Sequence, residues 1–140
     1  MRSLIWCVLL LAACIPATAP PQLEYTPGPP VVVTDGRIQT AAFSVERPDG
    51  WRVITSAADA PLTLILVAPD DAALIVLATD GIGEPPRPTS IDPEDTLRDS
   101  TEQVRVGDVD MSVYAVGPSA QWDAVQVATR RVVASLAAAG

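Results

Sequence analysis

The sequence contains no histidine, no lysine and no asparagine, one phenylalanine and two cysteines in 140 residues. Without His or Lys there is no imidazole base, no Schiff-base amine, no phosphate-gripping ammonium and no histidine metal ligand. Aromatic residues make up only 4% of the chain, which gives poor support to a glycosidase cleft that stacks its sugars. All nine basic residues are Arg, and they face seventeen acids for a formal charge of −8. Clustered positive charge is what a phosphate backbone requires, so nucleic acid is excluded as a partner. No apolar run reaches the ~20 residues of a membrane-spanning helix. What remains is enough chain for one domain and too little for a second sizeable core.

The N-terminus reads as an address. Met1-Arg2-Ser3 precedes an apolar run over residues 4–13 that stops at Cys14. A basic start followed by about ten apolar residues is the layout of an export signal. As a helix that run covers roughly 15 Å, about half of a hydrocarbon core. Leu11-Ala12-Ala13-Cys14 resembles the lipobox of bacterial lipoproteins. The resemblance implies cleavage between Ala13 and Cys14 and diacylglycerol on the cysteine sulfur. Two or three acyl chains anchor firmly, where one holds only marginally. Cys7 follows the bulky Trp6 and does not fit that role, and the processed chain keeps Cys14 as its only cysteine. No intrachain disulfide then forms, and stability rests on packing.

Residues 14–30 form a lipidated cysteine and a tether. Six of the fourteen prolines lie in this stretch. Proline-rich chain stays extended at ~3.1 Å per residue, which holds a domain up to roughly 45 Å from a bilayer. From Val31 to the end the pattern is that of one α+β domain: an antiparallel sheet flanked by a C-terminal helix and a shorter second helix. Asp35-Gly36 turns a first hairpin between residues 31–34 and a strand over 38–46. Pro48-Asp49-Gly50 makes a tight turn into a strand carrying Trp51, Val53 and Thr55. Residues 62–68 and 72–78 are almost continuously apolar, which predicts central strands covered on both faces. Residues 80–90, with two glycines and three prolines, form the longest internal loop. Asp92-Pro93-Glu94-Asp95 predicts a helix start, with Leu97, Thr101 and Val104 facing inward. Gly107-Asp108 turns a last hairpin. Ser119 caps a final helix to about residue 137, with Trp122, Val125, Thr129, Val132 and Leu136 on one stripe.

Phe43-Ser44-Val45-Glu46-Arg47-Pro48-Asp49-Gly50-Trp51 resembles the strand-turn-strand opening of the PsbP-like fold, and Ser135-Leu136 resembles the pair near the end of that family's last helix. The resemblance implies an antiparallel sheet flanked by helices and a non-enzymatic binding role. It is specific over the opening residues and elsewhere one of element order.

Motifs with chemistry are incomplete. Gly81-Ile82-Gly83 begins like a dinucleotide loop, but Pro86 replaces the third glycine. Ser119 sits in Gly117-Pro118-Ser119-Ala120-Gln121, where Gln121 replaces the last glycine of a nucleophile elbow and no histidine exists to activate it. Asp108-Val109-Asp110-Met111-Ser112 opens like a calcium loop, yet Val113 stands where glycine is needed and Ser119 where glutamate is. Glu84, Asp92, Glu94 and Asp95 are the only acid–base candidates, and helix capping and solubility account for them. No catalytic residue, metal ligand or cofactor is assigned.

The expectation is a lipid-anchored protein of a bacterial cell membrane or outer membrane, its domain outside the cytoplasm. Its partners are the membrane, through Cys14, and another envelope protein. The loop over residues 80–90, with Ile82, Glu84 and Arg87, is the candidate contact surface, because binding residues concentrate on loops held by a rigid sheet. The alternative is a small-molecule or ion carrier with a pocket between sheet and helices, lined by apolar residues and one or two carboxylates.

Overall fold

A computed structural model of the chain describes residues 31–55, 63–92 and 94–140. The leader, Ala13, Cys14, the proline-rich stretch and Pro93 lie outside them. The described residues form an α+β domain of two antiparallel sheets and one C-terminal helix.

The first sheet contains β1 (Val32–Thr34), β2 (Arg37–Gln39), β3 (Phe43–Glu46) and β9 (Ala137–Ala138), in that order. Asp35 and Gly36 both take positive φ, 49° and 78°. Two such residues in succession give the turn whose twist matches a hairpin, which is why Asp-Gly suits this place. The expected strand over residues 38–46 is broken at Thr40. Its buried hydroxyl donates to the Phe43 carbonyl at 2.8 Å and accepts the Ala42 and Phe43 amides at 3.2 and 3.0 Å. One side chain thus satisfies a complete tight turn, and β2 pairs antiparallel with β3.

The second sheet runs β4 (Arg52–Thr55), β5 (Thr63–Val67), β6 (Leu74–Ala78), β8 (Val109–Pro118), β7 (Leu97–Val106). The turn at Pro48-Asp49-Gly50 forms, with the Trp51 amide donating to the Pro48 carbonyl at 3.1 Å. It does not close a hairpin, because β3 and β4 belong to different sheets. The two apolar segments are central strands, as their lack of alternation requires, and every residue of β6 is buried.

Among the described residues there is no shorter second helix, and residues 97–106 are a strand. Asp92 does cap, but it caps a turn: its carboxylate accepts the Glu94 amide at 3.2 Å, and its carbonyl accepts the Asp95 amide at 2.9 Å. Beyond that turn, ten residues of β7 pair with ten of β8. A helix would have left that edge of β8 unpaired, and the ladder is the stronger competitor.

The C-terminal helix α1 (Trp122–Ser135) is entered through a 3₁₀ turn over Ser119–Gln121. The turn is capped at Pro118 and the helix at Gln121, so Ser119 does not hold the expected cap position. Trp122, Val125 and Val132 are buried as the stripe predicts, but Ala128 rather than Thr129 completes the buried face. Thr129 turns its hydroxyl to the Val125 carbonyl at 2.8 Å instead. The helix stops at Ser135, and Ala137–Ala138 leave it to pair with β3.

The main core lies between α1, the first sheet and one face of the second. Ile38, Phe43 and Val45 meet Leu64, Leu66, Ile75, Leu77, Met111 and Val113, with Trp122, Val125 and Val132 above them. Arg98 lies 5.6 Å from the Trp122 ring centroid, stacking its cation on the aromatic face. A smaller cluster occupies the opposite face of the second sheet: Val67, Leu74, Val76, Tyr114 and Val116.

The helix approaches β8 most closely at Gly117. A Cβ there would lie 3.0 Å from both the Ala73 Cβ and a Val125 methyl. Gly117→Ala is therefore expected to destabilise the domain by about 1–3 kcal/mol in urea denaturation. Gly83→Ala, which would enter open space, should change stability by no more than ~0.5 kcal/mol.

Candidate functional site

The outer face of the second sheet, opposite α1, is crossed by the connection over residues 79–96. Ile82 packs half-buried against the small apolar cluster, joined by Ile65 and Leu97. Pro88 is buried, and the Ser90 amide reaches the Asp71 carbonyl at 3.4 Å. Asp71 is in turn paired with Arg52 of β4, so the far end of the connection is tied to the sheet. Glu84 and Arg87 stay exposed between these attachments. Of the three residues expected to form a contact surface, two face solvent and the third, Ile82, is the anchor that seats the loop.

The anchor leaves an open groove on each side. One, of about 380 Å³, is bounded by Gly81, Ile82, Gly83 and Pro85 and by Asp99, Thr101, Gln103, Ser112 and Tyr114. The other, of about 250 Å³, runs past Thr63, Ile65, Val76, Ala78, Glu84 and Pro86. The first is polar because of register. Thr101 pairs with Tyr114 and Gln103 with Ser112, which places their side chains on one face with Asp99. Gln103 and Ser112 bind each other twice, the amide nitrogen to the hydroxyl at 2.8 Å and the hydroxyl to the amide oxygen at 3.1 Å.

Tyr114 is 8% exposed. Burial pushes its phenol above the ordinary value of 10.0; the Asp99 carboxylate adds to the rise, and the Arg87 guanidinium opposes it. These two opposite charges place Arg87 and Asp99 within electrostatic reach of one hydroxyl. The loop side of this groove lies in the expected contact segment, but its strand side escaped sequence reading, since a helix over residues 97–104 scatters Asp99, Thr101 and Gln103 around its axis. Their period-two polarity beside Ser112 and Tyr114 is the signal that identifies them, once the segment is a strand.

Hollows lie elsewhere among the described residues too. One of about 300 Å³ lies between α1 and the β5–β6 turn, with Trp51, Ala68, Pro69, Ala73 and Ala124 as apolar walls and Asp70 at its rim. A wider one of about 540 Å³ lies on the first sheet beside Arg37, Glu46, Arg47 and Asp49. There Arg37 is already committed, to Glu46 at 3.8 Å and to the Ser44 hydroxyl at 2.9 Å. Among the described residues no three metal-ligating side chains converge. Asp92, Glu94 and Asp95 share one exposed turn, and no described helix is long and apolar enough to cross a membrane. No family model matches the chain, and no curated protein or solved structure shows significant similarity to it.

The Tyr114 shift has a direct consequence for stability. Because the fold favours the neutral phenol, the folded chain keeps this proton at pH values where the unfolded chain has lost it. The stabilising contribution is intact below pH 10.0 and declines as pH rises through the elevated folded value. Denaturation of the wild type and Tyr114→Phe across that range should show the wild type losing stability relative to the variant as the phenol ionises.

Proposed function

We propose that this chain is a lipid-anchored bacterial envelope protein whose acidic domain binds another envelope protein without catalysis, through the loop that crosses the second sheet. The Leu11-Ala12-Ala13-Cys14 sequence supports the anchor, with cleavage after Ala13 and lipid on Cys14. The likeness of residues 43–51 to the PsbP-like opening supports a binding rather than catalytic role. The observation that carries the contact surface is the loop's attachment: Ile82 and Pro88 are tucked in while Glu84 and Arg87 project. A loop backbone already fixed on the sheet has little freedom left to lose on binding, which favours recognition.

Cells carrying a photoreactive residue at Glu84, Arg87 or Arg130 test this. Arg130 lies exposed on α1, away from the loop. Adducts to a common envelope protein are expected from positions 84 and 87, not from 130. Absence of adducts at both loop positions overturns the contact surface. In the same cells, Cys14→Ser should release the chain from the membrane fraction and leave residues 1–13 attached.

A second reading, a small-molecule carrier, is favoured by the hollow beside α1, which joins apolar walls to the single carboxylate of Asp70. A ligand bound only by the fold would raise the melting temperature by mass action, and Ala124→Trp would abolish that rise.

A further inference from the structure

The groove between the loop and the β7–β8 hairpin contains an open hydrogen-bonding position. Tyr114 is more than nine-tenths buried, yet its hydroxyl has no protein partner among the described residues. Among the described residues no fully enclosed side-chain oxygen or nitrogen lacks a partner, so this hydroxyl meets solvent beside the groove its ring helps to line. Beside it the Gln103–Ser112 pair is locked by two mutual hydrogen bonds. A primary amide so held still has a second N–H and a second oxygen lone pair to offer. Thr101, directly across from Tyr114, adds a hydroxyl. Opposite these groups, Ile82 and Pro85 form an apolar wall.

We infer that this groove binds a saccharide that carries no acidic group. Hydroxyl and amide groups both donate and accept, which is what a ring bearing several hydroxyls needs from its site. The apolar wall suits the C–H face of such a ring. Charge argues against an anionic ligand, which would meet Asp99 in a chain of net charge −8. A volume of about 380 Å³ lies within the ~300–1,000 Å³ typical of small-ligand clefts. The inference goes beyond protein docking on Glu84 and Arg87, because the ligand lies beside the loop rather than on its outer surface.

The test is a ¹⁵N NMR titration of the full chain in detergent with three probes: maltotriose, triacetylchitotriose and the amine-bearing glucosamine trimer. Saturable shifts at the amides of Gly83, Thr101, Gln103 and Tyr114 are expected with at least one neutral trisaccharide. Tyr114→Phe keeps the ring and removes the hydroxyl. It should weaken binding about three- to tenfold, the effect of one hydrogen bond, with an unchanged melting temperature near neutral pH. The inference is overturned if neither neutral probe shifts these amides at millimolar concentration. Binding confined to the amine-bearing trimer, or unaltered affinity of Tyr114→Phe, overturns it as well. Photoadducts at positions 84 and 87 without a saccharide response leave the docking role standing alone. A saccharide response without adducts supports the groove and removes the protein partner.

Discussion

Everything in this domain follows from β6, five residues with no polar side chain and no exposed face. A strand of this kind needs a neighbour on each edge and a cover on each face. The edges are β5 and β8. On one face Ile75 and Leu77 lie under α1 and the first sheet. On the other, Leu74 and Val76 are joined by Val67, Tyr114 and Val116, and the cover is a loop carrying Ile82. Each large apolar side chain removed from water contributes about 1.5–3 kcal/mol, so neither face can be left open in a domain this small.

A loop is a poorer cover than a helix, and that difference creates the site. A helix laid on the sheet would bury a continuous stripe; a single isoleucine buries one point and leaves grooves on both sides. The sheet adapts towards its edge. Val76 is apolar, Tyr114 is amphipathic, and Thr101 is polar, and these three are successive partners across β6, β8 and β7. The surface therefore grades from core to hydrogen-bonding lattice within three strands. The same grading explains why Tyr114 is both buried by area and open at its hydroxyl.

The central strands, the hairpin turns at Asp35-Gly36 and Gly107-Asp108, and the C-terminal helix were legible in the sequence because each depends on local pattern: continuous apolarity, turn chemistry, a stripe at steps of three and four. The segment after Asp92 was not. Its capping aspartate and its Leu97–Thr101–Val104 spacing favour a helix locally, and only the vacant edge of β8, some distance along the chain, makes a strand the better outcome. Thr40 was missed for a similar reason. A single threonine inside an alternating run carries no turn signal until its hydroxyl finds three backbone groups. The loop over residues 80–90 was legible as a loop, and Glu84 and Arg87 as exposed. That Ile82 would turn inward depended on the uncovered sheet face beneath it, and the polar groove depended on β7.

Both grooves depend on Ile82 seating the loop on the outer face of the second sheet. NOE spectra with selective methyl labelling test that contact directly. Cross-peaks are expected from the Ile82 methyls to the Tyr114 ring and the Val76 methyls. An Ile82 with random-coil methyl shifts and no cross-peaks to either residue would contradict it, because the loop would then cover nothing and the grooves beside it would not exist.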